Sequence, residues 1–347
     1  FETLTGNKCL VDTFDRNFQF NVEHVSLAKL ADIFLVAPAS ADVIGKIANG
    51  IADDMLTTTI MACKCPKLIS PAMNTNMFTN PIVQDNLKKL EHYGYEIIQP
   101  DSGYLACGDT GAGKMPSEQV LLNYILRTIA KDKDMTGIKL TVTAGPTREK
   151  LDPVRFLSNN STGKMGYAIA KMAMLRGADV TLISGKVSLE PVPFVKMVDI
   201  VSAEDMYNAV IKSAKDADII IKAAAVADYR PSDVSDEKIK KKDGDMSIPL
   251  ERTKDIIGTL GNNKRDGLFL CGFSMETEHL LDNSKVKLTK KNLDMIVANN
   301  VKVAGAGFGT DTNVVTVITK DAVEELPMMS KEEVADALLD RIMKARQ

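Results

Sequence analysis

A regular alternation between short apolar runs and stretches with helical periodicity constrains the fold most strongly. Strand candidates lie at 33–38, 67–72, 95–100, 138–145, 178–185, 217–225, 267–273 and 293–300, with 313–320 as a closing edge strand. Helix-period stretches such as 84–94 and 166–177 separate them. Apolar strands that alternate with helices are typical of α/β folds, in which helices cover both faces of a parallel sheet.

The length of the chain predicts more than one domain. Its 347 residues exceed the roughly 100–200 residues of an ordinary domain. The segment 126–137 turns polar and ends in glycine, which is typical of a linker. We predict two Rossmann-like three-layer domains at 1–130 and 137–347, each with a mainly parallel sheet flanked by helices. The chain begins at Phe1 without a methionine, and we expect the first domain to be incomplete at its amino terminus.

Composition narrows the classes of partner. Hydrophobic residues make up 45% and charged residues 26%, as in ordinary soluble proteins. The net charge of −3 provides no basic field for nucleic acid, and no apolar run approaches the roughly 20 residues that span a bilayer. Five cysteines, an odd number, favour free thiols in a reducing compartment. We therefore expect a cytoplasmic protein with neither nucleic acid nor membrane as partner.

Nearly every predicted strand runs into small or polar residues, as in "APASAD", "SPAMNTNM", "AAAVADYRP" and "GFSMET". In open α/β sheets, ligands bind just beyond the carboxyl ends of the strands, and small residues let backbone amides approach a ligand closely. Turns alone also favour such residues. Because amides and charges accompany them here, we favour one nucleotide-sized site in each domain.

The stretch "GYLACGDTGAGKMPS" (103–117) places a cysteine among glycines. A phosphate-binding G-x-x-x-x-G-K pattern starts at Gly108, but Met115 replaces the hydroxyl residue that would hold Mg²⁺, so we reject that interpretation. The glycines favour a mobile flap that opens for substrate. The Cys107 thiol, with an ordinary pKa of about 8.5, is mostly protonated at neutral pH and could donate a proton. A buried structural cysteine is the alternative.

Two further side chains could complete this site. His24 precedes a predicted strand and is the best candidate base among three histidines. Asn74 follows the strand at 67–72, where its amide could hold a substrate carboxylate. An Asx turn or helix cap is the alternative for Asn74.

The segments "HVSLAKLAD", "APASAD", "PAMNTNM" and "GYLACGDTGAGKM" resemble the homo-oligomeric flavin-containing cysteine decarboxylases. Over essentially its whole length, the chain resembles the bifunctional coenzyme A biosynthesis flavoproteins, which join phosphopantothenoylcysteine decarboxylase to phosphopantothenate–cysteine ligase. The resemblance implies that FMN oxidises the cysteine moiety to a thioaldehyde, so that CO₂ can leave, and then reduces the enethiol. It implies FMN binding at Pro38, Ala39 and Ser40, and catalysis by His24, Asn74 and Cys107. In this family a glycine/serine loop near the amino terminus holds the FMN phosphate, and we expect the sequence from Phe1 to start downstream of that loop.

The second half carries two patterns that suit anions. "STGKMG" places Ser161, Thr162 and Gly163 where a helix should start, and free amides there suit an anion, although a plain cap is the alternative. In "KAAAVADYRPSDVSDEKIKKK", Asp228 lies among lysines, which suits a Mg²⁺–triphosphate; a solvated basic loop is the alternative. The lack of G-x-G-x-x-G argues against an NAD site.

For this half the resemblance implies a ligase that joins 4′-phosphopantothenate to L-cysteine after CTP has activated the carboxylate as an acyl-cytidylate. Asn159 would contact the acyl-cytidylate, Lys238 would assist amide formation, and Asp228 would bind Mg²⁺. The implied CTP-binding residues are Lys222, Ala223, Ala224, Asp228, Lys238, Lys254, Asp255, Ile256, Ile257, Phe273, Lys287 and Lys291. The chain has Thr253-Lys254 where the family usually has Asn-Pro, and we expect a looser turn there.

The family further implies a homo-oligomer with ligase dimers and decarboxylase trimers. Three alternatives stay open: a ligase with a flavin-free, inactive decarboxylase remnant, a flavin decarboxylase of peptide carboxyl-terminal cysteines, and a non-catalytic regulatory flavoprotein. The ligase-like second half disfavours the peptide decarboxylase, and the lysines of the second half disfavour the regulator.

Overall fold

The computed structural model describes residues 1–13, 23–104, 108, 110–240, 246–276, 280–300, 307 and 309–346. The chain divides into two compact units, Phe1–Lys131 and Asp132–Gln347. Within the described ranges, no helix is long and apolar enough to cross a membrane.

The elements of the first unit are α1 (Glu2–Thr5), α2 (Glu23–Leu30), β1 (Phe34–Ala39), α3 (Ala41–Ala48), α4 (Met55–Ala62), β2 (Lys67–Pro71), α5 (Thr75–Phe78), α6 (Pro81–His92), β3 (Glu96–Ile97), β4 (Asp101–Tyr104), β5 (Thr110–Lys114) and α7 (Glu118–Ile129).

The first unit has a parallel sheet with the order β1-β2-β3. Successive residues of β2 face opposite sides, as a pleated strand requires. Ile69 packs with Val36 and Ile44 on one side, whereas Leu68 packs with Leu121 of α7 on the other. Helices therefore cover both faces, which confirms the predicted three-layer arrangement. The predicted strand at 95–100 is shorter than expected, since only Glu96–Ile97 pairs with β2.

The elements of the second unit are β6 (Lys139–Ala144), β7 (Glu149–Lys150), β8 (Phe156–Leu157), α8 (Lys164–Leu175), β9 (Asp179–Ser184), β10 (Lys196–Asp199), α9 (Ala203–Ser213), β11 (Ile219–Lys222), β12 (Tyr229–Pro231), β13 (Leu250–Arg252), α10 (Ile256–Asn262), β14 (Phe269–Glu276), α11 (Leu280–Lys290), β15 (Met295–Asn300), β16 (Thr312–Asn313), β17 (Val315–Thr319), β18 (Val323–Glu325), β19 (Met329–Ser330) and α12 (Lys331–Ala345).

The main sheet of the second unit has the order β10-β9-β6-β11-β14-β15-β17-β18. The strands from β10 to β15 are parallel to one another. Strand β17 pairs antiparallel with β15, and β18 pairs antiparallel with β17. The prediction that 313–320 closes the sheet was wrong, because β17 lies between β15 and β18. On β11, Ile219 and Ile221 join the core beneath α8 and α12, while Ile220 joins the core beneath α9 and α10.

The strand order changes direction at β6. The chain leaves β6 for β9 and β10 on one side, then returns to β11 on the other. Such a switch point opens a crevice at the carboxyl ends of the two central strands, where α/β proteins bind ligands. Here the Ala225 amide donates to the Gly145 carbonyl at 3.0 Å, which brings the loops after β6 and β11 together.

Candidate active sites at the two sheet edges

A cavity of about 620 Å³ lies beyond the carboxyl ends of β11 and β14. The sequence-predicted nucleotide residues that line it are Lys222, Ala224, Asp228, Lys254, Asp255, Ile256, Ile257, Phe273, Lys287 and Lys291. Sequence reasoning missed Tyr229, Arg252 and Ser274, which also line it. Tyr229 directly follows the predicted residue Asp228, and Ser274 directly follows the predicted residue Phe273, so position within the motifs could have found these two.

Positive charge dominates this cavity. Four lysines and Arg252 line it against two carboxylates, Asp228 and Asp255. The Lys291 ammonium lies 2.9 Å from the Asp255 carboxylate. Partial burial acts to raise the pKa of Asp255, but the hydrogen bond and charge of Lys291 outweigh it and lower that pKa. The excess of cations suits a polyphosphate.

Lys222 lies at the carboxyl end of β11 with its side chain half-buried. Burial lowers the pKa of its ammonium group, and the nearby charge of Lys291 lowers it further, against the opposing pull of Asp255 and Asp228. Among the described residues, no hydrogen bond or ion pair involves this ammonium group. The ammonium group of Lys222 is therefore available to pair with an anion that binds in the cavity.

Three hydrogen bonds hold the turn at Thr253–Asp255, and the looser turn expected without proline stays a prediction. The Thr253 amide donates to the Asp228 carbonyl at 3.0 Å, and the Thr253 hydroxyl donates to the Ala227 carbonyl at 2.7 Å. The Asp255 carboxylate caps α10 by accepting from the Gly258 amide at 3.1 Å.

Lys254 lines the cavity, but its ammonium group is engaged elsewhere. It lies 2.7 Å from the Glu204 carboxylate and 4.9 Å from the ring centroid of Tyr207, both on α9. In this arrangement Lys254 ties the turn to α9.

A smaller cavity of about 130 Å³ shares Ala224, Ala225, Phe273 and Ser274 with the first. Ser161, Thr162 and Gly163 line it, and α8 begins directly after them, as predicted. Gly163 caps this helix with φ of 79° and no side-chain hydrogen bond. The predicted nucleotide residue Ala223 lies here, as do Asn299, Asn313 and Lys331, which sequence reasoning missed. Of these three missed residues, only Asn299 could have been found from the sequence, because it lies in the polar strand end "ANN".

Asn159 and Lys238 do not line either cavity. The Asn159 side-chain amide donates to the Ala225 carbonyl at 2.7 Å, so Asn159 supports the wall shared by both cavities. Lys238 is exposed. Its neighbour Ile239 is fixed by the buried Asp152 carboxylate, which accepts from the Ile239 amide at 3.1 Å.

The described residues contain no group of three or more His, Cys, Asp or Glu side chains that could hold a metal ion. Mg²⁺ in nucleotide sites is commonly held by one or two carboxylates together with substrate phosphates. The exposed Asp228 on the cavity wall fits that mode.

The edge of the first unit carries small and neutral side chains. Pro38 and Ala39 end β1, and the Ser40 hydroxyl caps α3 by accepting from the Val43 amide at 3.3 Å. At the end of the neighbouring strand, the Ala72 amide donates to the Ala39 carbonyl at 3.0 Å. The three predicted FMN residues therefore lie where such sheets bind ligands, and Pro38 and Ser40 are exposed there.

Asn74 lies at the same edge and caps α5, with its Oδ1 accepting from the Asn76 amide at 2.8 Å. The Oδ1 atom of Asn74 therefore acts as a helix cap, which is the alternative role that the sequence left open. A carboxylate would instead be bound by the Nδ2 donor, so the two roles are compatible. His24 lies half-buried on α2. Cys107 lies outside the described residues.

The glycine-rich stretch forms an antiparallel ribbon of β4 and β5, from the pair Asp101 and Lys114 to the pair Tyr104 and Thr110. The Met73 amide donates to the Gly113 carbonyl at 3.0 Å, so the base of the ribbon is bonded to the segment that carries Asn74. The mobile flap stays a prediction.

Two family profiles divide the chain between them. Residues 1–130 match the profile described as Flavoprotein, and residues 135–345 match the DNA/pantothenate metabolism flavoprotein C-terminal domain. The Coenzyme A biosynthesis bifunctional protein CoaBC of Bacillus subtilis is 46% identical over 99% of this chain and 85% of its own length. A Cysteine/Cysteine sulfinic acid decarboxylase from an unknown prokaryotic organism is 42% identical over 98% of this chain and 97% of its own length.

A solved structure agrees with the second unit. The crystal structure of the C-terminal domain of a Coenzyme A biosynthesis bifunctional protein CoaBC covers 62% of this chain and 97% of its own, with 44% identity and a TM-score of 0.53. Because both profiles and nearly full-length relatives agree, the chain belongs to the CoaBC family of bifunctional coenzyme A biosynthesis flavoproteins.

Proposed function

We propose that this chain catalyses two reactions of coenzyme A biosynthesis: CTP-dependent ligation of 4′-phosphopantothenate with L-cysteine, and FMN-dependent decarboxylation of 4′-phosphopantothenoylcysteine to 4′-phosphopantetheine. The observation that carries the ligase proposal is the single cationic cavity that gathers nearly all the predicted CTP residues at the sheet edge. Membership of the CoaBC family supports both activities.

In the first ligase step, the pantothenate carboxylate attacks the α-phosphorus of CTP and pyrophosphate leaves, which gives the acyl-cytidylate. Negative charge develops on the phosphate oxygens, and preorganised cations stabilise such charge in a site that excludes water. Lys222, Lys287 and Lys291 line the cavity, which supports this role for them. Mg²⁺ bound with the triphosphate at Asp228 would neutralise further charge.

In the second ligase step, the cysteine amine attacks the acyl carbon and CMP leaves. We assign Lys238 to the stabilisation of this step. Asn159 would contact the acyl-cytidylate, and its hydrogen bond to the carbonyl of Ala225, a residue that lines both cavities, supports this assignment.

In the decarboxylase half, Pro38, Ala39 and Ser40 would contact FMN at the end of β1. When bound, FMN supplies the redox chemistry by accepting two electrons from the cysteine moiety and returning them after CO₂ has left. The Asn74 amide would hold the substrate carboxylate, His24 would act as the catalytic histidine, and Cys107 would deliver the final proton. We further propose a cytoplasmic homo-oligomer with ligase dimers and decarboxylase trimers.

A second candidate function is decarboxylation of free cysteine or cysteine sulfinate. The relative of that name, which matches over nearly the full length of both chains, favours it. The two functions differ in whether the phosphopantothenoyl group is required.

The deciding assay measures pyrophosphate release with CTP and, separately, with ATP, in the presence and absence of each co-substrate. We expect release only with CTP, 4′-phosphopantothenate and cysteine together. Carbon dioxide release is then compared between 4′-phosphopantothenoylcysteine and free cysteine. Release from free cysteine alone, without CTP-dependent pyrophosphate, would replace the first proposal by the second.

A further inference from the structure

Two glycines of β5 lie where the ribbon meets the segment Met73–Thr75. A Cβ atom at Gly113 would lie closer than 3.0 Å to the Met73 carbonyl oxygen, and one at Gly111 closer than 3.0 Å to the Thr75 hydroxyl. Real Cβ atoms essentially never show such distances. By contrast, a Cβ atom at Gly103, which pairs with Gly111 across the ribbon, would meet only the Lys114 side chain at 3.8 Å.

The two obstacles differ in kind. At Gly113 the obstacle is backbone, and φ of 134° is a conformation that residues with a Cβ rarely adopt. At Gly111 the obstacle is one side chain. The Thr75 hydroxyl is buried and has no hydrogen-bond partner among the described residues, so Thr75 meets Gly111 by shape rather than by bonding.

These contacts hold three consecutive residues of the predicted carboxylate-binding segment. The Met73 amide is bonded to Gly113, the Asn74 oxygen is bonded to the Asn76 amide, and Thr75 packs beneath Gly111. A ribbon displaced by a methyl group would shift the residues on both sides of Asn74 and so turn its amide.

We propose that Gly111 and Gly113 are positioning residues, which let the ribbon β4–β5 seat on Met73–Thr75 and thereby fix the direction of the Asn74 amide. This inference rests on the proposed role of Asn74 in the decarboxylase half. It explains Gly111 and Gly113 by the close approach of the ribbon to Met73–Thr75, through a side chain at Gly111 and through backbone at Gly113, rather than by flexibility.

The test compares Gly111→Ala and Gly113→Ala with the matched control Gly103→Ala in the full chain. Amide hydrogen exchange of residues 73–78 reports the seating without any activity. We expect at least about tenfold faster exchange of the Met73 amide in Gly111→Ala and Gly113→Ala, and unchanged exchange in Gly103→Ala. Unchanged exchange in all three variants would overturn the inference.

The kinetic readout uses phosphopantothenoylcysteine decarboxylation, with ligation by the second unit as a measure of an intact chain. A misplacement of about 1 Å can cost roughly 100-fold in rate, and we expect a loss of that order in kcat/KM for Gly113→Ala, with ligation retained. Adding Thr75→Ala to Gly111→Ala removes the atoms that clash most and leaves the Thr75 Cβ at 3.2 Å. This double variant should recover exchange protection and most of the activity, and failure to recover either would overturn the inference.

If the unaltered chain releases no CO₂, the proposed decarboxylase function fails, while hydrogen exchange still decides whether the ribbon is seated by its glycines. If the unaltered chain is active and Gly111→Ala matches Gly103→Ala in both readouts, the inference fails alone.

Discussion

The two units use the same structural position, the carboxyl edge of a parallel sheet, with different chemistry. In the first unit the edge is formed by small and neutral residues such as Ser40 and Asn74, and backbone contacts set its shape. In the second unit the edge is lined by lysines such as Lys222 and Lys291. We therefore expect methyl groups added by substitution to impair decarboxylation at the edge of the first unit. Loss of lysine charges should impair nucleotide binding and ligation at the edge of the second unit.

Among the variants that remove a charge from the second unit, we expect Lys238→Gln to reduce the ligase rate most. In the role proposed above, Lys238 would stabilise the charge that develops when the cysteine amine attacks. Loss of one such stabilising group typically costs about 100- to 1,000-fold. We expect amide formation to slow to that extent while the acyl-cytidylate accumulates, as measured by rapid quench of one turnover.

The exposed neighbour Lys240→Gln is the control for Lys238→Gln and should behave like the unaltered chain. Because Lys238 does not line either cavity, the opposite result is informative. An unaltered rate of amide formation would confine ligase catalysis to the residues of the cavity walls.

The next largest effect should come from Lys291→Met. The change removes a cation from the cavity and leaves the Asp255 carboxylate without its partner at 2.9 Å. A hydrogen bond to a charged group contributes about 1.5–3 kcal/mol, so KM for CTP should rise by roughly 10- to 100-fold. Steady-state kinetics at several CTP concentrations measure this.

Lys290→Met is the matched control for Lys291→Met, since it removes the same charge from the adjacent residue. Lys290 is exposed on α11 and does not line the cavity. It should leave KM for CTP unchanged, and both variants should leave decarboxylation unchanged. Equal rises in KM for the two variants would mean that general surface charge, rather than the cavity, attracts the nucleotide.

Lys222 makes nucleotide binding depend on pH. Burial and the charge of Lys291 lower the pKa of Lys222, so this lysine loses its proton at a lower pH than an ordinary lysine. The protonated form attracts the triphosphate, hence affinity for CTP should be highest below that pKa and should fall as pH rises through it. We expect a fall of about tenfold, which corresponds to about 1.4 kcal/mol.

Titration calorimetry over a pH range that extends well below and above neutrality checks this dependence, with Lys222→Met as the comparison. The variant should bind CTP more weakly at the low-pH end of this range and lose much of the dependence. A variant that keeps the full pH dependence would assign the titration to another group in the cavity.

The sequence predicted local features well and contacts between distant residues poorly. Strand β11 was predictable because its buried run 219–221 is apolar, and the expected ligand edge followed from the small residues after Lys222. The bond from Thr253 to Ala227 joins residues 26 apart in the chain, and no local pattern reveals it. The glycines in β5 are ambiguous for a related reason, because a glycine that permits flexibility and one that permits close approach look alike in a sequence.

We expect the smallest change in KM for CTP at Lys254, which could act either by its charge on the nucleotide or by holding the shape of the turn. The ammonium of Lys254 pairs with Glu204 at 2.7 Å, and both side chains are substantially exposed, at 55% and 37%. Exposed ion pairs contribute about 0.2–1 kcal/mol, so Glu204→Gln and Lys254→Met should each raise KM for CTP by less than about fivefold.

A double-mutant cycle separates the two roles that Lys254 could have. If Lys254 only ties the turn to α9, the two changes together should cost no more than either one alone, and Lys254→Arg should restore KM. If Lys254→Met raises KM for CTP as much as Lys291→Met does, the Lys254 ammonium must leave Glu204 and contact the nucleotide itself. Lys254 would then belong with the cavity cations, and the anchoring of the turn would rest on Thr253 and Asp255 alone.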